Sequence, residues 1–322
     1  MAPQPMRALT IVLLAAPACC FKSPAIVRIT DSASRRPVVL IGTMHYNPAS
    51  IAAVTATVKD VAASRGGLHA AAIELCPARW NSTIAAKWNR TYSLKRLMAE
   101  DEFQVTFETV TDCGLDDIVL ADQAIEVTGR RLGSALLQTV KDLLAGPAGW
   151  RRVQTDLLTF TRELPTFAMA AADLPLLAGM PLAMARYLYQ SPAAAPFIAL
   201  STASLFLAAA ADEASGAHLA WEDGVVTLLL AIVLGRAVFT SLIAERNVVL
   251  ARNIRDACLQ PQGPRVAAVA MRTDADADAA ESDGVLASGD DGGDETATVI
   301  AVLGMAHLAG VRDALLCDGF DA

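Results

Sequence analysis

The chain has 322 residues, of which 54% are hydrophobic and 19% charged, and its formal net charge is −8. A chain this apolar is not largely disordered, because disorder needs low hydrophobicity and high charge. It also lacks a basic stripe, which argues against a nucleic-acid partner. Nine of the 34 acids lie between Thr273 and Thr296, where there is no Lys or Arg, which leaves 25 acids against 26 bases elsewhere. We therefore predict one acidic, disordered insert over residues 273–296.

The first 20 residues have the order of a secretory signal. Arg7 is followed by an apolar run from Ala8 to Ala16 and by small residues up to Cys20, and the run is too short to span a bilayer. Phe21 directly after them resembles the bipartite presequences of algae with complex plastids. We expect entry by this signal, with a plastid favoured over another organelle or a secretory membrane. An uncleaved apolar terminus packed on the domain is the alternative.

Short β-branched runs alternate with helical patterns along much of the remaining chain. Strands are predicted at residues 25–30, 38–41, 70–75, 117–120, 266–271 and 298–303. Helices are predicted at residues 48–64, from 77 onward, and at 123–144, 245–258 and 308–316. This alternation predicts an α/β fold with a central, mostly parallel sheet flanked by helices.

Two apolar runs interrupt the alternation. Residues Tyr187–Ala211 form an uncharged run that is long enough for a membrane span. The only charged residue in Val225–Ala244 is Arg236. A central arginine costs about 2.5–3.5 kcal/mol in a membrane helix, less if it extends toward Arg246. We predict an inserted transmembrane hairpin, with buried Ala-rich helices as the alternative. We therefore predict four segments. They are a targeting segment (residues 1–20), a first domain part (25–190), the hairpin (191–244) and a second domain part (245–322).

Two of the four histidines stand in matching settings at opposite ends of the chain. His45 and His307 each follow an apolar strand, a glycine and two further residues, and each precedes a helix. Glycine at a strand end permits a sharp turn. The histidines are then placed at the carboxyl edge of the sheet, where open α/β folds bind ligands. This repeat predicts that the two histidines share one site.

Three charged residues are candidates for the same site. Glu74 and Asp122 end predicted strands, and a carboxylate beside a buried strand is costly unless it is paired or liganded. Arg246 starts the helix after the second apolar run. The alternatives are a salt bridge from Glu74 to Arg79, a helix N-cap for Asp122 and a basic flank of the hairpin for Arg246.

His45, Glu74 and His307 make a set of two imidazoles and one carboxylate. Such a set suits a divalent metal, Mn, Co, Zn or Fe, with open positions for water, and the metal would turn that water into a nucleophile. A metal-free arrangement is equally consistent with the residues. In it Glu74 orients a histidine that acts as general base on water.

Five blocks of sequence, in chain order, resemble the TraB family, which includes the TraB/PrgY pheromone-shutdown proteins and the Tiki Wnt-inactivating proteases. The blocks are Leu40–His45 with Ser50, Ala71–Arg79, Leu120–Gln123 with Thr128 and Arg131, Leu242–Asn247, and Gly304–Val311. They cover about residues 25–145 and 242–316. Gln123 stands where the family usually has an arginine, and the apolar pair and the acidic insert are further departures.

The resemblance implies an erythromycin-esterase/ChaN-like α/β fold. It also implies a catalytic site built from His45, Glu74 and His307, as in the metal-dependent peptide cleavage of Tiki-type members. We therefore expect a membrane-associated, metalloprotease-like hydrolase acting on a peptide or protein, with Arg246 holding a carboxylate or a developing oxyanion. A non-catalytic membrane receptor or tether that binds peptide or protein is the alternative, and a small-molecule ester hydrolase is a third.

Overall fold

The computed structural model describes most of the two predicted domain parts. The described residues are 26–81, 94–115, 118–161, 172–191, 221–260 and 296–317. The predicted targeting segment, the strand predicted at 266–271, residues 273–295 of the predicted acidic insert and residues 192–211 of the first apolar run lie outside these residues.

Five strands form one sheet in the order β1-β2-β5-β3-β4. Their bounds are Ile26–Thr30 for β1, Pro37–Thr43 for β2, Leu68–Ile73 for β3, Ile118–Leu120 for β4 and Thr298–Gly304 for β5. Strand β1 is antiparallel to β2 at one edge, and the other four strands are parallel. The predicted α/β fold with a mostly parallel sheet is confirmed.

Nine α-helices are described. Their bounds are Pro48–Ala62 (α1), Leu94–Ala99 (α2), Glu102–Asp112 (α3), Ile125–Leu144 (α4), Pro147–Thr161 (α5), Leu174–Gln190 (α6), Trp221–Val238 (α7), Glu245–Leu259 (α8) and Leu308–Leu316 (α9). A π-helical segment, Phe239–Ala244, joins α7 to α8, and a short 3-10 turn, Met305–His307, joins β5 to α9.

Alternate residues of the central strands face opposite sides of the sheet, which is why these strands are apolar throughout. Leu40 of β2 packs on the side of α8 and α9, against residues such as Leu250 and Val311. Its neighbour Ile41 packs on the other side, against α1 and α3. Because helices cover both faces, the carboxyl edge of the sheet is the place where polar groups gather.

The placement of β5 positions the site. This last strand lies between β2 and β3 and is parallel to both. The register pairs Thr43 with Gly304 and Ile73 with Val302. The residues that follow β2, β3 and β5 therefore leave the sheet side by side, although they come from both ends of the chain.

The predicted transmembrane helix is wrong for the described part of the chain, where no helix is both long and apolar enough to cross a bilayer. Residues Val225–Ala244 fall in α7 and the π-helical segment. The Arg236 side chain is 8% exposed and forms salt bridges of 2.8 Å with Asp142 of α4 and 2.7 Å with Asp156 of α5. The arginine is thus paired inside the protein and does not extend toward Arg246. Residues 192–211 of the other predicted span lie outside the described residues.

Replacing Arg236 with Met tests this pairing. The variant keeps an apolar side chain but removes one of the two arginines that pair with the buried Asp142. Arg152 and the Gln138 amide remain as its partners. We expect a loss of about 1–3 kcal/mol in the free energy of unfolding, measured by urea denaturation. Arg312→Met is the matched control, because its pair with Asp313 is exposed and worth about 0–1 kcal/mol. Equal effects of the two substitutions would show that Arg236 is not held as described.

Candidate active site

The structure brings the five predicted site residues together at the carboxyl edge of the sheet. Glu74 directly follows β3, and His45, Asp122 and His307 lie two or three residues beyond β2, β4 and β5. Arg246 is in the first turn of α8, a helix that packs on one face of the sheet, and its side chain reaches the carboxylates at this edge. Each strand end thus contributes one titratable side chain, and the helix contributes the cation between them.

Arg246 links two buried carboxylates. Its Nε donates to Asp122 Oδ1 at 3.0 Å, and one terminal nitrogen donates to Asp122 Oδ2 at 2.8 Å and to Glu74 Oε1 at 2.5 Å. Arg79 adds a longer salt bridge of 3.6 Å to Asp122. Burial alone would lower the pKa of Arg246, but the neighbouring carboxylates outweigh burial and raise that pKa. The guanidinium therefore fastens α8 to the ends of β3 and β4.

Glu74 is almost completely buried, yet it is held as a carboxylate. Its Oε2 accepts a 2.5 Å hydrogen bond from the Gly304 amide, and its Oε1 lies 3.4 Å from His307 Nε2. Burial alone would raise the pKa of Glu74. The hydrogen bond and charge of His307, with the charges of Arg246 and His45, outweigh burial and hold that pKa well below its usual range. Glu74 is therefore ionised at neutral pH.

His307 is buried and oriented by Asn247, the neighbour of Arg246. The distance between His307 Nδ1 and Asn247 Oδ1 is 2.7 Å. Because an amide oxygen only accepts, Nδ1 carries the hydrogen and Nε2 faces Glu74. Gly310 of α9 leaves room for this arrangement, since a methyl group there would lie 2.0 Å from Asn247 Nδ2.

His45 is paired with a fully buried carboxylate. Its Nδ1 contacts Oε1 of Glu102, the first residue of α3. The other oxygen of Glu102 accepts a 3.0 Å hydrogen bond from the Tyr46 amide, and Thr43 Oγ1 donates to Oε1 at 3.3 Å. Desolvation of the ring lowers the pKa of His45, but the charge and hydrogen bond of Glu102 outweigh it and raise that pKa to about 9.

The second ring nitrogen of His45, Nε2, lies beside Gly304 at the centre of the site. A methyl group placed on Gly304 would lie 3.1 Å from both His45 Nε2 and Glu74 Oε2. The two atoms therefore approach the same α-carbon, which only glycine permits without displacing them. The His45 side chain is 47% exposed, whereas those of His307 and Glu74 are 5% and 4% exposed, so His45 is the group of the three that a small molecule reaches most readily.

A cavity of about 390 Å³ opens beside these groups. His45, Glu74, Arg246 and His307 form its polar side. The other lining residues are Thr43 and six apolar or small residues. These six are Met44, Leu177, Met180, Gly304, Met305 and Ala306. The site can therefore place an apolar group next to a histidine and a guanidinium.

The predicted metal site does not fit this geometry, and the metal-binding assignment is corrected. Among the described residues, no group of three or more His, Cys, Asp or Glu is arranged to hold a metal ion. The physical reason is that both oxygens of Glu74 are already used, one by Arg246 and one by the Gly304 amide. A guanidinium 2.5 Å from the supposed ligand would also repel a divalent cation.

The simpler roles considered for the charged residues are not those seen. Glu74 pairs with Arg246, whereas Arg79 pairs with Asp122. Asp122 does not cap α4, which begins after Ala124 without a side-chain cap. Of the other histidines, His69 is buried at the amino end of β3, with Nε2 3.1 Å from the carbonyl oxygen of residue 260, and His218 lies outside the described residues.

Two residues of the site were not predicted from the sequence. Asn247 had a usable signal, since it follows Arg246 in one of the blocks that resemble the TraB family. Glu102 had none. It stands in an ordinary helix start, where Asp101 caps α3 by accepting from the Gln104 amide at 2.7 Å.

Comparison of the chain with protein-family models, curated proteins and solved structures gives no match. The resemblance to the TraB family therefore stays a prediction that depends on the sequence blocks.

Replacing Glu102 with Gln removes the charge that keeps His45 protonated. We expect the pKa of His45 to fall from about 9 toward its ordinary value of 6.5. The measurement is an NMR titration of the imidazole Cε1 protons, with His45→Ala to identify the signal. Glu126→Gln, which removes an exposed acid from α4, should leave the titration unchanged. A His45 pKa near 6.5 in the wild type would contradict the pairing of His45 with Glu102.

Proposed function

We propose that the protein is a hydrolase in which histidine, without a metal, activates water to cleave an acyl bond, in the first instance a peptide bond. The observation that carries this proposal is the His45–Glu102 pair, whose histidine lines a cavity together with Glu74 and Arg246. A histidine oriented by a buried carboxylate is a recurrent general base in hydrolases.

In the proposed reaction His45 Nε2 removes a proton from water, and the water oxygen attacks the substrate carbonyl carbon. This step starts from the neutral form of His45, and Glu102 stabilises the imidazolium that results. Arg246 lines the cavity and stabilises the negative oxygen of the tetrahedral intermediate. His45 then returns its proton to the leaving nitrogen, or to oxygen in an ester, and the acyl–nitrogen or acyl–oxygen bond breaks.

Glu74 and His307 act as positioning residues in this scheme. Glu74 orients Arg246 and the Gly304 amide, and His307, fixed by Asn247, keeps Glu74 charged. The scheme uses the three residues that the TraB resemblance implies for the catalytic site, but it keeps only His45 as a catalytic residue, makes Glu74 and His307 positioning residues and involves no metal. The mostly parallel sheet with its site at the carboxyl edge is also consistent with the erythromycin-esterase/ChaN-like fold that the resemblance implies.

Binding of a peptide or protein without turnover is the second candidate function. It is favoured by the pairing within the site, because Arg246 already contacts both Glu74 and Asp122. Such a neutralised network also occurs where buried charges serve structure. The two functions differ in whether product forms, so a turnover assay separates them.

The test of catalysis is the pH dependence of kcat/KM for peptide and simple ester substrates. A general base must be neutral to accept a proton, and a group with a pKa of about 9 is about 1% neutral at pH 7. We therefore expect kcat/KM to rise about tenfold per pH unit and to level off above about pH 9. In Glu102→Gln the plateau should begin at lower pH.

His45→Ala should lower kcat/KM by roughly 10²–10⁴-fold. His69→Ala is the matched control, since it removes a histidine at the opposite end of β3. Turnover that survives His45→Ala would overturn the proposed role of His45, and peptide or protein binding without any turnover in the wild type would establish the second function.

A further inference from the structure

Helix α6 forms one wall of the cavity and carries two adjacent stripes of residues at helical spacing. Leu176, Gly179, Ala183 and Arg186 are buried against the rest of the protein. One position further along in each case come Leu177, Met180, Met184 and Tyr187, which are 39–44% exposed. The second stripe runs about 15 Å along the helix and starts in the cavity, because Leu177 and Met180 line it.

Polar contacts fix α6 to the turn that carries His45. Asn47 Nδ2 donates to the Leu176 carbonyl at 2.8 Å, and Gly179 lies so close to Asn47 that a methyl group there would be 2.5 Å from Oδ1. The buried Arg186 donates to the carbonyl of Tyr46 at 3.1 Å and pairs with Glu100 at 2.8 Å. The exposed stripe is therefore held at a constant position relative to His45.

The apolar wall of the cavity consists of Leu177 and Met180, and both side chains are partly exposed rather than buried in a core. Met44 and Met305 line the cavity together with Leu177 and Met180, and methionine adapts to ligands of different shape. The charges on the polar side are paired with one another, His45 with Glu102 and Arg246 with Glu74 and Asp122. A charged group placed against Leu177 and Met180 would lose its hydration without gaining a polar partner from these two side chains, whereas an aliphatic group gains contact.

We propose that this wall selects the substrate: the acyl side of the scissile bond carries an uncharged aliphatic group that lies against Leu177 and Met180 and extends along the stripe. The inference rests on the proposed hydrolase function. The same chemistry is available from an apolar residue of a peptide and from a fatty acyl chain. Extended peptide spans about 3.3–3.6 Å per residue, so the stripe matches roughly four residues or a chain of similar length.

The experiment compares acyl esters and amides of two to eight carbons, and peptides with Leu or Asp on the acyl side, in wild type and variants. Burial of each methylene should raise kcat/KM about fourfold until the chain fills the wall. Met180→Asp should abolish this gain and Met180→Leu should keep it. Leu144→Asp, an equal change at a site of α4 that is 82% exposed, is the control and should behave as wild type.

The outcomes separate the two proposals. Turnover that is independent of chain length, and unchanged in Met180→Asp, overturns the substrate assignment and leaves the hydrolase standing. If no substrate is turned over, binding of 2-decanone, an uncleavable ketone, is measured by calorimetry. Binding by wild type and Met180→Leu but not by Met180→Asp supports the aliphatic site, and no binding by the wild type overturns it. With the same leaving amine in both series, a preference for the Leu peptide over the fatty acyl amide identifies the peptide source, and the reverse identifies the acyl chain.

Discussion

The geometry of the site depends on one guanidinium placed between two buried carboxylates. Arg246 reaches Asp122 with two nitrogens and Glu74 with one, and so joins the ends of β3 and β4 to α8. Two carboxylates in this position would repel each other and lose their hydration without a cation between them. With Arg246 present they stay charged, and the helix that carries Asn247 is fixed in the register that orients His307.

The hydrogen bonds of the charged Glu74 limit the chemistry proposed for the two histidines, because they leave Glu74 unavailable as a metal ligand. Because its oxygens are taken by Arg246 and by the Gly304 amide, it organises hydrogen-bond donors and is not free to coordinate a metal. His45 has its own carboxylate, Glu102, and the accessible nitrogen. The two histidines therefore have different surroundings and different proposed roles. In the proposed reaction His45 exchanges protons with water, whereas His307 belongs to the buried network, although the two occur in matching sequence settings.

The sheet and most of the site could be predicted because the signals are local. Apolar strands that end in glycine placed His45 and His307, and strand ends placed Glu74 and Asp122. Partners distant in sequence could not be predicted. Glu102 pairs with His45 across 57 residues in a helix start without any distinguishing pattern. Hydropathy read along the chain predicted a membrane span at Arg236, because it cannot register carboxylates supplied by two other helices. The proximity of Arg246 to Glu74, which argues against a metal, is likewise a tertiary contact.

The central claim is that this arrangement activates water without a metal. The direct measurement is turnover of the purified full-length protein, on a substrate that it cleaves, before and after exhaustive treatment with a chelator, with metal content determined on the same samples. The account predicts that the metal-free protein keeps its full kcat/KM and that added Mn, Co or Zn does not increase it. Loss of turnover on chelation, with recovery when one of these metals is returned, would contradict the account.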